Sequence, residues 1–109
     1  MELKLNIYKG KKIVKTYTCN TIDVRFGVLI DVINALNFEA MKRGDKIEIA
    51  AMVVKCLDQV LPFLYDLFDG VTEEEIRNAK TSNIIEIFRD LYGYAMSEIG
   101  IAASSTEKN

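Results

Sequence analysis

The sequence predicts an α+β fold, mostly helical: an N-terminal β-hairpin over about 2–19, then a bundle of three to four helices. Three observations predict it. Residues 2–19 alternate apolar and polar on either side of Lys9-Gly10-Lys11-Lys12. Residues 22–43 carry apolar side chains at helical spacing. Residues 46–69 are apolar around most of a helical circumference.

The hairpin is read from Leu3, Leu5 and Ile7 on one face with Lys4 and Asn6 on the other, and from Ile13, Lys15, Tyr17 and Cys19 after a short charged turn holding Gly10. Two strands are not stable alone, so their apolar face must lie on helices or their edge must pair with another chain. Thr21 is the expected N-cap of the first helix, with Asp23 in its first turn. Ile22, Phe26, Leu29, Ile33, Leu36 and Ala40 share one face of that helix over about 22–43. Lys42 and Arg43 suit its C-terminus and Gly44 its stop. Val24, Val28 and Val32 fall on the far side.

Asp45 is placed to cap a second helix over about 46–69. At 100° per residue, Glu48, Met52, Lys55, Gln59, Pro62, Asp66 and Asp69 form one narrow polar strip. The remaining arc, roughly 200° wide, is about twice the usual apolar stripe. This helix is therefore expected to be central, with neighbours on two sides. Pro62, on the polar strip, predicts either a bend convex to solvent or a break with a short new helix. Thr72-Glu73-Glu74-Glu75 is a capping box opening a short helix over 73–78. Thr81 or Ser82 would cap the last helix, 82–99, on which Ile84, Phe88, Leu91, Ala95 and Ile99 form a stripe. Gly93 costs about 1 kcal/mol of helix propensity there, which a close helix contact would explain. Residues 1–100 form a single domain, and 101–109 read as a frayed tail.

Composition excludes several classes. The 109 residues carry a formal charge of −2 and a pI of about 5.2. The densest basic group, Lys9, Lys11, Lys12 and Lys15, belongs to one turn, so nucleic acid is not expected as a partner. No apolar run reaches the ~18 residues of a membrane span, and the N-terminus lacks an export signal. Cys19 and Cys56, far apart, are read as reduced thiols of a cytosolic protein, Cys56 as core packing. One bridge in an exported protein is the alternative.

Histidine is absent, and with it the commonest general base and metal ligand. The six glycines are isolated, so there is no phosphate loop. Glu73, Glu74 and Glu75 suit a first helical turn rather than a cation site. Asp66 and Asp69 have no oxygen cage around them. Asp23, Asp31 and Arg25 are ordinary helix-face charges. Tyr65, Tyr92 and Tyr94 are read as core edge. No catalytic residue, metal ligand or cofactor is expected, and the chain is read as working by contact.

Nearly the whole chain resembles the small tail assembly chaperones of long-tailed phages and prophages of Gram-positive bacteria. The residues that carry the resemblance are the opening hairpin, Val60-Leu61-Pro62 followed by Leu67-Phe68-Asp69-Gly70, then Val71 to Ile76, and the closing stretch from Asn83-Ile84-Ile85 to Met96. The chain departs from the family at Asn78-Ala79-Lys80-Thr81, where an Asp-Gly segment is common, and in running on past Gly100. The resemblance implies binding of the tape-measure protein, recruitment of the tail-tube protein, residence in the host bacterial cytoplasm and absence from the mature virion. It also implies that a frameshifted longer form would join at 101–109.

A tape-measure protein presents long amphipathic helices, which dock on apolar grooves. If part of the central helix stays exposed, Phe63, Leu67 and Phe68 near Pro62 are the first partner-binding candidates. Val24, Val28 and Val32 are the second. The alternative is that all six are core or lie in a self-association interface. A self-associating structural or adaptor module, using an exposed hairpin edge, is the competing reading of the whole protein.

Overall fold

The computed structural model describes residues 1–36, 45–55 and 57–107, the stretch 100–107 as backbone only. Strands β1 (Glu2–Lys9) and β2 (Lys12–Asn20) pair antiparallel, with Leu3 opposite Cys19, Leu5 opposite Tyr17 and Ile7 opposite Lys15. A bulge between Ile7 and Tyr8 shifts the register near the turn, where Gly10 supplies a φ of +64°. The expected alternation holds on β1: Leu3, Leu5 and Ile7 are buried. On β2 it holds weakly, since Tyr17 and Cys19 are only half-buried and Ile13 and Val14 are exposed.

Five α-helices follow among the described residues: α1 (Phe26–Ala35), α2 (Lys46–Lys55), α3 (Leu57–Leu67), α4 (Glu73–Arg77) and α5 (Thr81–Glu107). The fold is therefore α+β and mostly α. It is organised around α5, which packs against β1, α1 and α2, and not around residues 46–69 as expected. Ile85, Ile87, Phe88, Leu91, Tyr92 and Ala95 bury most of the near half of α5. The helix runs through Gly100 to Glu107, into the segment expected as a tail.

The first helix differs most from its reading. Residues Thr21–Asp23 form a 3-10 turn capped by the Asn20 side chain, which accepts from Ile22 N–H at 3.2 Å. Thr21 is no cap. It is fully buried, and its N–H and hydroxyl both donate to the Met1 carbonyl, at 2.9 and 3.1 Å. Arg25 is extended and α1 starts only at Phe26, which leaves Ile22 outside the helix. Val28, Leu29, Val32 and Leu36 point inward, while Ile22 and Phe26, expected on the buried face, are 72% and 65% exposed. Leu36 leaves helical geometry at φ −98°, ψ 143° and drops its side chain into the core, ending α1 at Ala35. Packing of one leucine outweighs the weak drive to continue a short helix. Ala40, the Lys42–Arg43 terminus, the Gly44 stop and the Cys56 reading lie outside the described residues.

The second helical stretch keeps its phase. Asp45 Oδ1 accepts from Ile47 N–H at 2.9 Å and Glu48 N–H at 3.2 Å. Ile49 and Val53 on α2, and Val60, Phe63, Leu64 and Leu67 on α3, are buried. Pro62 sits exposed inside α3 with helix on both sides, so no new helix starts there. Its missing donor falls on the solvent strip, where water satisfies the freed carbonyl. Gly70, at φ +85°, follows the end of this stretch. The capping box is present: Thr72 Oγ1 accepts from Glu75 N–H at 3.2 Å and Glu75 Oε1 accepts from Thr72 N–H at 3.1 Å.

Candidate functional site

The expected partner-binding residues fall mostly inside. Phe63 and Leu67 are each 6% exposed and Phe68 1%, while Val28 and Val32 are also buried and only Val24 is half-buried. The ring of Phe68 meets Tyr17 edge-on at 6.5 Å, closing the hairpin over the helices. Phe63 lines a shallow depression with Asp31, Asn34, Ala35, Gln59 and Pro62. The premise that these side chains stay exposed is corrected: the far face of α1 and the end of α3 are core. Val28 and Val32 lie on the buried face of α1, and α1 packs against α3.

Exposed apolar surface lies on the other flank of the same wide arc. Ile47 and Val54, seven residues apart and so on one face of α2, are 82% and 72% exposed. Leu57, at the start of α3, is also exposed. Val54 and Leu57 form one wall of a groove of about 290 Å³, floored by Val53, Val60 and Leu64. Ile76 of α4, with Ala79, Ile84 and Ile85, forms the opposite wall. Arg77 is the charged residue in the lining and Thr81 the hydroxyl. The sequence carried the signal for this face in the excess width of the apolar arc, but not which edge of the arc would be left over.

A second feature is polar. Glu75 Oε1 accepts from the Tyr17 hydroxyl at 2.7 Å, and its Oε2 stands 3.4 Å from Lys15 Nζ. The Lys15 ammonium lies 4.5 Å over the Tyr17 ring. The Tyr17 hydroxyl, helped by Thr72 N–H and Lys15, holds the Glu75 carboxyl below the usual carboxylate range, against an opposing desolvation effect. Lys15 is raised in turn, first by Tyr17 and then by Glu75. This trio ties β2 to the cap of α4. Burial, with Asp23 adding to it, pushes the Cys19 thiol up, the opposite of what a reactive cysteine needs.

Among the described residues no cluster of histidine, cysteine or carboxylates could hold a metal ion. No helix of those residues is long and apolar enough to cross a membrane. No family model matches this chain, and neither a curated relative nor a solved structure does.

Proposed function

We propose that this chain is a non-catalytic binding protein, a phage tail assembly chaperone that holds an amphipathic helix of a tape-measure protein and helps recruit tail-tube subunits. The observation that supports it is the open groove walled by Val54 and Leu57 on one side and Ile76 and Ile84 on the other. A helix laid there would cover Val54, and its apolar stripe would continue along α2 to Ile47, the most exposed large apolar side chain among the described residues. Arg77 on the wall selects a helix with a carboxylate beside its stripe. The class of partner rests on the resemblance of the sequence alone, and the groove is offered as its docking place because it is open and apolar.

Co-expression with the adjacent tape-measure gene tests the proposal. The two proteins should co-purify, and Val54→Asp or Leu57→Asp should abolish capture while leaving the melting transition unchanged. Co-purification that survives both substitutions moves the partner off this groove. No association at all removes the chaperone reading.

A further inference from the structure

Between Leu3 and Ile22 the chain carries five lysines and no carboxylate. Since the whole chain carries −2, the remainder is acidic, and the hairpin is a basic element on an acidic chain. Two of the five lysines are matched: Lys4 Nζ stands 3.6 Å from Glu2 and Lys15 Nζ 3.4 Å from Glu75. Lys9, Lys11 and Lys12 remain, grouped around the turn at Gly10, all exposed and without an ion pair to any described residue. Lys80 adds a fourth ammonium, 4.7 Å over the ring of Tyr8. The cleft that Lys9, Val14 and Lys15 line from the hairpin is lined from α4 by Glu74 and Glu75. Glu75 is taken by Lys15 and Tyr17, which leaves Glu74 as the one carboxylate of that cleft set against the three lysines.

The same turn exposes apolar surface that the fold does not use. Ile7 pairs with Lys15 and Tyr8 with Ile13, so Val14 is the extra residue of the bulge and stands outside the ladder. Ile13 and Val14 are 51% and 59% exposed. Lys11-Lys12-Ile13-Val14-Lys15 thus sets two adjacent β-branched side chains among cations.

We propose that this turn docks an acidic segment of a partner protein, one that carries aliphatic side chains among its carboxylates. The unmatched ammonium groups set the sign of the partner, and Ile13 and Val14 call for apolar contact beside it. A nucleic-acid duplex offers phosphates but nothing to Ile13 and Val14. A duplex or an anionic bilayer is also broad. Laid on the turn, it comes within a Debye length, about 8 Å, of the acidic first turn of α4, Glu73 to Glu75. A single protein segment is narrow enough to meet the lysines and miss α4. The turn shares no residue with the groove, so this surface stands or falls separately from the chaperone reading.

Fluorescence anisotropy of the full chain with a labelled peptide of alternating glutamate and leucine tests it, with thermal melts to confirm that each variant folds. The peptide should bind saturably, and more weakly as salt rises. Lys11→Glu with Lys12→Glu should weaken binding roughly tenfold. Ile13→Ser with Val14→Ser should weaken it several-fold and leave the salt dependence as it was. Lys46→Glu with Lys55→Glu makes the same change in net charge on α2 and should bind as wild type, as should Val54→Asp in the groove. No saturable binding overturns the proposal, as does equal weakening by the α2 pair. Loss of binding in Val54→Asp, or tighter binding to phosphatidylserine vesicles or to a DNA duplex, overturns it too.

Discussion

Asn83, in the first turn of α5, does for Asn6 what a third strand would do. It takes the Asn6 N–H at 2.9 Å and returns its own amide N–H to the Lys4 carbonyl at 2.8 Å, spanning 77 residues of chain in the first bond. The edge of β1 is thereby locked to the helix that its apolar face rests on. Asn83→Ala leaves both backbone groups without their partner and should cost about 1–3 kcal/mol. Asn83→Asp should recover little, because it keeps the acceptor but sets an oxygen against the Lys4 carbonyl. Urea titration of the three proteins checks this, with faster hydrogen exchange at the Asn6 amide as the local readout.

Gly93 has no packing reason to be glycine. A Cβ built there meets nothing within 4 Å, so the close helix contact expected from the sequence is absent. Gly93→Ala should therefore stabilise the protein by up to about 1 kcal/mol. Gly70 has equal room but sits at φ +85°, where a side chain is strained, and Gly70→Ala should destabilise by about 1 kcal/mol. Thermal melts of the pair should move in opposite directions.

Phe68 and Val54 should separate stability from binding. Phe68→Ala removes a ring that is 1% exposed and should cost about 3–5 kcal/mol through the cavity left behind. Val54→Asp changes a side chain that is 72% exposed and should leave stability within about 0.5 kcal/mol. If Val54→Asp unfolds the protein, the groove wall is core and the docking proposal loses its site.

Acid should loosen the join between β2 and α4. The Glu75 carboxyl is held low in the folded state, chiefly by the Tyr17 hydroxyl. A carboxyl depressed on folding adds stability above its unfolded value and loses it as pH falls through the folded one. The advantage of wild type over Glu75→Gln should thus be full near neutrality and shrink as pH is lowered from about 5. Tyr17→Phe should shift that loss to higher pH. Midpoints of unfolding across the acid range give the comparison. An advantage that does not vary with pH would mean the carboxylate is not what stabilises the join.

Local chemistry made much of this fold legible. The alternation of Leu3, Leu5 and Ile7, the Asp45 cap, the Thr72–Glu75 box and the glycine turns at Gly10 and Gly70 each bond or bend within a few residues, so sequence spacing is enough to place them. The wide apolar arc of residues 46–69 was legible too, and with it the prospect of surface left over. Tertiary structure alone decided which surface that is. A 3-10 turn at Thr21–Asp23 left Ile22 outside α1, and α1 packed Val28 and Val32 inward while Ile22 and Phe26 stayed exposed. The closing helix then took the centre, so Phe63, Leu67 and Phe68 were spent on the core, while Ile47, Val54 and Leu57 were left for solvent. Helical periodicity fixes which side chains share a face, because that is set within a single turn of backbone. Which face meets a neighbour depends on what packs beside the helix, and those are contacts between residues far apart in the chain.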